Sequence, residues 1–141
     1  MSDASTQTRS VVIEREIAHP PEKIWRALTQ PHLMEEWLMK NDFKPVAGHQ
    51  FNLRREPKPG VNIVVDCEVL AVEPHKTLSY SWDAYGLDSV VTWTLTPTTT
   101  GTLLRMEQSG FRPDQRREFG GARYGWTMMG GRLVALLARA A

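Results

Sequence analysis

Four successive segments between residues 61 and 111 alternate apolar and polar side chains with a period of two. They are residues 61–73, 77–83, 88–97 and 102–111, and each gap between them contains a proline or a glycine. Alternation with this period indicates a strand that has one face buried and the other in water. Short turns between such strands favour antiparallel pairing. The chain is therefore constrained to build an antiparallel sheet with one apolar face.

The remaining segments predict further strands and three helices around this sheet. Residues 10–18 and 48–55 also have strand patterns. Between these two strands, residues 19–29 and 30–40 each carry a proline near the start and apolar residues at helical spacing, which predicts two short helices. After Gly110 the pattern becomes helical to the end of the chain.

The predicted terminal helix contains five glycines, each of which costs a helix interior roughly 1 kcal/mol relative to alanine. Its apolar residues form a stripe roughly 120° wide on a helical wheel. Gly130 lies inside this stripe and Gly125 at its edge, whereas Gly120, Gly121 and Gly131 lie outside it. Two explanations stay open. The missing side chains either let the helix pack closely on the sheet or leave space for a guest molecule.

Composition and charge exclude several classes of protein. The chain has 141 residues, of which 41% are apolar and 23% charged, as expected for one globular domain, which we place at residues 9–141 after a flexible lead-in of residues 1–8. The net charge of +1 gives no case for a nucleic-acid partner or an anionic membrane surface. No apolar run approaches the ~20 residues of a membrane span. Cys67 is the single cysteine, so we expect no internal disulfide and a cytoplasmic location.

The sequence contains no evident catalytic constellation. The four histidines fall at turns or helix starts and lack the spacing of metal ligands. No glycine-rich phosphate loop and no nucleophile elbow is present. We therefore expect no catalytic residues, no metal site and no cofactor.

Three polar side chains are predicted on apolar faces. Gln108 shares a face with Leu104 and Met106, so its amide should point inward and must find hydrogen-bond partners. Tyr80 has a similar position on its strand. Arg15 lies on the apolar row of the first strand, and two interpretations are open: it extends to an edge or pairs with a carboxylate, or it reaches into a pocket. Such groups could orient a mostly apolar guest.

Four segments carry a resemblance to a known superfamily: residues 15–37, 67–82, 91–111 and 125–137. Over about residues 9–139 the chain resembles the START-like, birch-pollen-allergen-like superfamily, also called SRPBCC. Within it, the chain is similar to the AHSA-type family, the homologues of the activator of the heat-shock-protein-90 ATPase. The resemblance implies an α+β helix-grip fold, in which a curved antiparallel sheet of six or seven strands wraps around a long C-terminal helix, with two short helices after the first strand.

The resemblance also implies a hydrophobic cavity between the C-terminal helix and the sheet. On that basis we predict a protein that binds a small apolar, aromatic or lipid-like molecule. The candidate binding residues are the inward side chains of this space: Trp37, Phe51, Tyr80, Trp82, Trp93, Met106, Gln108, Trp126, Met129, Gly130 and Leu133.

Other functions stay open. One alternative is a cyclase- or hydrolase-type enzyme acting on an aromatic or polyketide-like substrate, with Tyr80, Gln108 or Arg15 as hydrogen-bonding groups. Another is a single-domain co-chaperone, which the family name suggests. Exposed edge strands or the terminal helix could also support a homodimer.

Overall fold

The computed structural model describes residues 8–139. Its elements, in chain order, are β1 (Arg9–Ile17), α1 (Pro21–Thr29), α2 (Pro31–Trp37), β2 (Lys40–Asn41), β3 (Gln50–Lys58), β4 (Val61–Glu73), β5 (Thr77–Ala84), β6 (Leu87–Pro97), β7 (Thr102–Phe111) and α3 (Arg116–Arg139). Of the predicted lead-in, residues 1–7 lie outside the described residues. No helix within the described range is long and apolar enough to cross a membrane.

All the strands form one antiparallel sheet in the order β1-β7-β6-β5-β4-β3-β2. The predicted fold class is confirmed: a curved sheet of seven strands, two short helices after β1, and a long C-terminal helix. The two-residue strand β2 is absent from the prediction. It extends the sheet beyond β3 by pairing Lys40 with Arg54.

Pro31 separates the two short helices. The residue before a proline is pushed away from helical backbone angles, and Gln30 is accordingly extended, with φ −96° and ψ 119°. Gln30 therefore ends α1 and begins α2. The two helices cover one end of the sheet, and they bury apolar residues such as Ile24 and Met34.

The sheet bends because its strand ladders are interrupted. The pairing register shifts between Val69 and Ala71 on β4, and again between Arg55 and Lys58 on β3. Such bulges bend a strand and increase its twist. β5 and β6 are joined by a two-residue turn, Tyr85–Gly86, in which both residues have positive φ (52° and 81°). This turn conformation matches the twist of a hairpin.

The long helix α3 lies across the concave face of the sheet. It buries Trp126, Leu133, Leu136 and Leu137 against the inward residues of the strands. The predicted inward faces of β5, β6 and β7 are all buried, and Gln108 is 1% exposed among them. The core therefore lies between α3 and the sheet, where the sequence pattern placed it.

Candidate functional site

A cavity of about 270 Å³ lies between the first half of α3 and the sheet, beside the β5–β6 hairpin. Its walls are mostly apolar and come from α3, from strands β4 to β7, from the β5–β6 turn and from Met39 between α2 and β2. It is lined by Met39, Ile63, Val65, Trp82, Ala84, Tyr85, Leu87, Gln108, Glu118, Gly121, Ala122, Gly125, Trp126 and Met129. Tyr85, 73% exposed, and the exposed Glu118 belong to this lining, so the cavity is open to solvent there.

A chain of buried hydrogen bonds fixes the amide of Gln108 at this cavity. Trp126 donates its Nε1–H to Oε1 of Gln108 at 2.7 Å, and Nε2 of Gln108 donates to Oγ of Ser89 at 2.9 Å. The Ser89 hydroxyl in turn donates to the carbonyl of Trp82 at 2.8 Å. A primary amide offers two donor hydrogens and two acceptor lone pairs. These bonds use one donor hydrogen and one acceptor lone pair of the Gln108 amide.

Two glycines of α3 account for part of the space. A β-carbon built at Gly121 would meet nothing within 4 Å, and one at Gly125 would meet only Cε of Met129 at 3.9 Å. Neither position is glycine because a neighbour crowds it. Both line the cavity, so larger side chains there would project into the space or narrow it.

Four tryptophans fill the interior from the short helices to the cavity. Trp37 packs edge-on against Trp93 with ring centroids 5.6 Å apart, and Trp93 packs against Trp126 at the same distance. Trp126 contacts Trp82 at 5.1 Å. The first two pairs are edge-to-face and the third is tilted by 56°, and aromatic rings at these distances are in direct contact. The middle of the molecule is therefore closed, and the cavity is confined to the hairpin side of Trp126.

Behind Trp126 a second space of about 20 Å³ is left under the second half of α3. Its volume is about that of one water molecule. Arg15 reaches into this region from β1. Its Nη2 donates to the carbonyl of Thr127 at 3.1 Å, and its Nε is buried without a hydrogen-bond partner among the described residues. Arg15 forms no salt bridge with any residue in the range 8–139, so its charge lies against a helix carbonyl.

The predicted binding residues divide into three groups. Trp82, Gln108, Trp126 and Met129 line the cavity. Trp93, Met106, Gly130 and Leu133 line only the small second space. The third group, Trp37, Phe51 and Tyr80, belongs to neither lining and packs in the core.

The third group has structural partners that explain its position. Trp37 donates its Nε1–H to the carbonyl of Ala27 at 2.8 Å. The Tyr80 hydroxyl accepts the Nε1–H of Trp93 at 3.0 Å, and the Tyr80 ring packs against Phe51 at 5.5 Å. Burial raises the pKa of Tyr80 well above its ordinary range. Tyr80 is therefore a neutral hydrogen-bond acceptor inside the core.

Sequence reasoning missed most of the cavity wall. It did not include Ala84, Tyr85 and Leu87, which lie in or next to the Tyr85–Gly86 turn, because the alternating pattern does not show how that turn is oriented. It placed Gly121 outside the apolar stripe, although that glycine lines the cavity. The alternation along β4 does place Ile63 on the inward face, and that pattern could have identified it.

The described residues contain no group of three or more His, Cys, Asp or Glu side chains that could hold a metal ion. Cys67 is buried, and burial together with Asp83 and Asp66 raises its pKa to about 12. The thiolate is the reactive form of cysteine, so the raised pKa disfavours reaction of this thiol at neutral pH. The ionisable side chains on the cavity wall are Glu118 and Tyr85, and both are exposed.

Comparisons with known proteins agree with this fold. The sequence profile of the family described as Activator of Hsp90 ATPase homolog 1-like protein matches residues 18–138. The crystal structure of protein MLL2253 from Mesorhizobium loti is 63% identical, with a TM-score of 0.87, and the match covers 94% of this chain and 99% of that one. A search of curated proteins found no match.

Two more distant solved structures have related sequences. DynU16, described as a putative protein in the dynemicin biosynthetic locus, is 26% identical with a TM-score of 0.79, and the match covers 92% of this chain but 47% of DynU16. CalU16 from Micromonospora echinospora is 25% identical with a TM-score of 0.77, and the match covers 94% of this chain and 78% of CalU16.

Proposed function

The chain belongs to the Activator of Hsp90 ATPase homolog 1-like protein family, and we propose that it binds a small, largely apolar or aromatic molecule in the cavity between α3 and the sheet. The observation that carries the proposal is the apolar space of about 270 Å³ with the buried amide of Gln108 in its wall. Ligand sites are typically apolar clefts with a few fixed polar groups.

The size of the cavity and the residues of its wall restrict the kinds of molecule that fit it. The volume is near the lower end of the ~300–1,000 Å³ of typical ligand pockets, which favours a guest of one or two fused rings. The indole rings of Trp82 and Trp126 form part of the wall. Aromatic faces and edges pack well against such rings. Gln108 supplies a hydrogen bond to one polar atom of the guest.

A thermal-shift screen of apolar and aromatic compounds tests this function. A ligand at a hundredfold excess over its dissociation constant stabilises the folded state by about 2.7 kcal/mol. Gly125→Leu should abolish the shift because the new side chain occupies the cavity. The matched control is Gly131→Leu, since a β-carbon at that exposed position meets nothing within 4 Å. A screen without hits, or hits that Gly125→Leu leaves unchanged, would contradict the proposal.

An enzyme acting on an aromatic substrate is a second candidate. The relation to DynU16, with its place in a biosynthetic locus, supports it. Glu118 is the carboxylate of the cavity wall, and it is exposed; the other ionisable group in the lining is the phenol of Tyr85, which is exposed as well. Turnover of an aromatic compound that Gln108→Leu or Glu118→Gln abolishes, with the fold intact, would place this candidate first.

A co-chaperone function is supported by the description of the family. Its test is a pull-down with the chaperone ATPase together with measured ATPase rates, and recovery of no chaperone with unaltered rates would remove it. A cytoplasmic location, the lack of a nucleic-acid partner and the formation of a homodimer stay predictions from the sequence.

A further inference from the structure

A large groove lies next to the cavity. It has a volume of about 760 Å³ and lies between α2, β3, β4 and α3. Met39 and Ile63 line both the groove and the cavity, so the two spaces meet at these side chains. Both residues are only half-buried. The partial exposure of both side chains suits a guest that extends from the cavity into the groove.

The groove carries an excess of positive charge. Its charged lining consists of Lys40, Arg54, Arg55 and Arg132 against Glu35 and Glu56. One carboxylate oxygen of Glu56 already accepts the backbone N–H of Gly60 at 3.2 Å. Within residues 8–139, none of the four cationic side chains forms an ion pair. Their charges are therefore available to an anion from outside the chain.

Two of these cations lie on the same surfaces as the cavity wall. Arg132 follows Gly125 by seven residues, so it lies within about 20° of Gly125 around α3 and roughly 10 Å further along the helix axis. Arg55 pairs directly with Ile63 across β3 and β4. Residues directly opposite in a ladder share one face of the sheet. Arg55 therefore lies beside Ile63, where the cavity meets the groove, and Arg132 lies in the part of the groove wall that α3 supplies.

We infer that the guest is an amphipathic anion, whose apolar body occupies the cavity and whose carboxylate or phosphate lies in the groove between Arg55 and Arg132. This inference rests on the proposed function, because the apolar part must first enter the cavity. Guanidinium groups suit this role, since their planar set of donors matches the oxygens of carboxylates and phosphates.

A series of naphthalene compounds that differ only in the charged group tests the inference. The probes are 1-naphthylacetate, the neutral 2-(1-naphthyl)ethanol, the cationic 2-(1-naphthyl)ethylammonium and 1-naphthylmethylphosphonate, each titrated calorimetrically at low salt. The acetate or the phosphonate should bind about tenfold more tightly than the alcohol, and the ammonium compound more weakly than the alcohol. The comparison of acetate with phosphonate shows which anion the groove prefers. Added salt should reduce the preference, because the groove is exposed.

Two variants tie the preference to the groove. Arg55→Gln and Arg132→Gln should each lower the affinity for the preferred anion severalfold and leave that for the alcohol unchanged. Arg123→Gln is the matched control on the same helix, since Arg123 lies about 160° around α3 from Gly125. Equal binding of anion and alcohol, or an anion preference that both variants leave intact, would overturn this inference while the cavity function stands. Failure of all four probes to bind would overturn this inference, and a thermal-shift screen that also gives no hit would overturn the proposed function with it.

Discussion

The guanidinium of Arg15 lies directly over the backbone of Gly130. A β-carbon at position 130 would be 2.9 Å from Nε of Arg15 and 3.4 Å from its Cζ. Both residues border the small space behind Trp126. The Arg15 side chain on the edge strand β1 therefore explains why residue 130 is a glycine. It does not explain Gly121 and Gly125, which no neighbouring side chain crowds.

Gly130→Ala should stabilise the protein less than the neighbouring substitution Gly131→Ala. Alanine at position 131 meets nothing within 4 Å, so the variant should gain about 1 kcal/mol of helix propensity. Alanine at position 130 must displace the Arg15 side chain and its bond to Thr127, which offsets that gain by about 1 kcal/mol. Urea denaturation of both variants measures the difference. Equal gains in the free energy of unfolding would show that Arg15 does not restrict this position.

The difference between the two alanine variants should disappear when Arg15 is shortened. Arg15→Val keeps a good strand former on β1 and removes the three guanidinium atoms that lie nearest to a β-carbon at position 130. In this background Gly130→Ala and Gly131→Ala should stabilise equally, which corresponds to a coupling energy of about 1 kcal/mol between Arg15 and Gly130. A double-mutant cycle by urea denaturation measures it, and additive effects would contradict the contact.

The strand and helix pattern of the fold could be predicted from the sequence, because burial on one face imposes a period of two or of 3.6 residues. The same patterns placed Trp82, Gln108, Trp126 and Met129 inward, and all four line the cavity. Periodicity shows which face of the sheet a side chain lies on. It does not show whether that side chain meets other side chains or a cavity.

This limit explains why some of the predicted binding residues line the cavity and others pack in the core. Tyr80 and Trp82 share one face of β5, yet one packs in the core and the other borders the cavity. Which of them meets empty space depends on how far the other large rings extend from α2 and β6. This is a property of tertiary packing, which no single segment encodes.

Tyr80→Phe should lower stability and leave ligand affinity unchanged. The substitution removes the acceptor of the buried Trp93 Nε1–H, and an unsatisfied buried donor costs about 1–3 kcal/mol. Tyr80 lies outside the cavity lining, so the substitution should not alter the affinity for a ligand in the cavity. Tyr124→Phe is the control, since Tyr124 is 70% exposed. Loss of binding or of any turnover in Tyr80→Phe at preserved stability would give Tyr80 a direct role in the site.

Cys67 should make the protein less stable as the pH rises above 9. The unfolded chain loses the thiol proton near the ordinary pKa of 9.0, whereas burial raises the pKa in the folded protein to about 12. Between these values the folded state binds more protons, so the free energy of unfolding falls with pH, by about 1.4 kcal/mol per pH unit. Cys67→Ala should flatten this slope between pH 9 and 10. Equal slopes for both proteins, from urea denaturation in that interval, would contradict the burial of the thiol.

Gln108→Leu should separate the structural role of the amide from its role toward a guest. The variant leaves the Trp126 Nε1–H without its acceptor and should lose about 2 kcal/mol of stability. Binding of naphthalene, which makes no hydrogen bond, should persist, whereas the extra affinity for 2-naphthol should disappear because its hydroxyl loses the amide. Gln50→Leu is the control, since Gln50 is exposed. Affinities from quenching of tryptophan fluorescence give the comparison, and an unchanged preference for naphthol would mean that another group in the wall receives its hydroxyl.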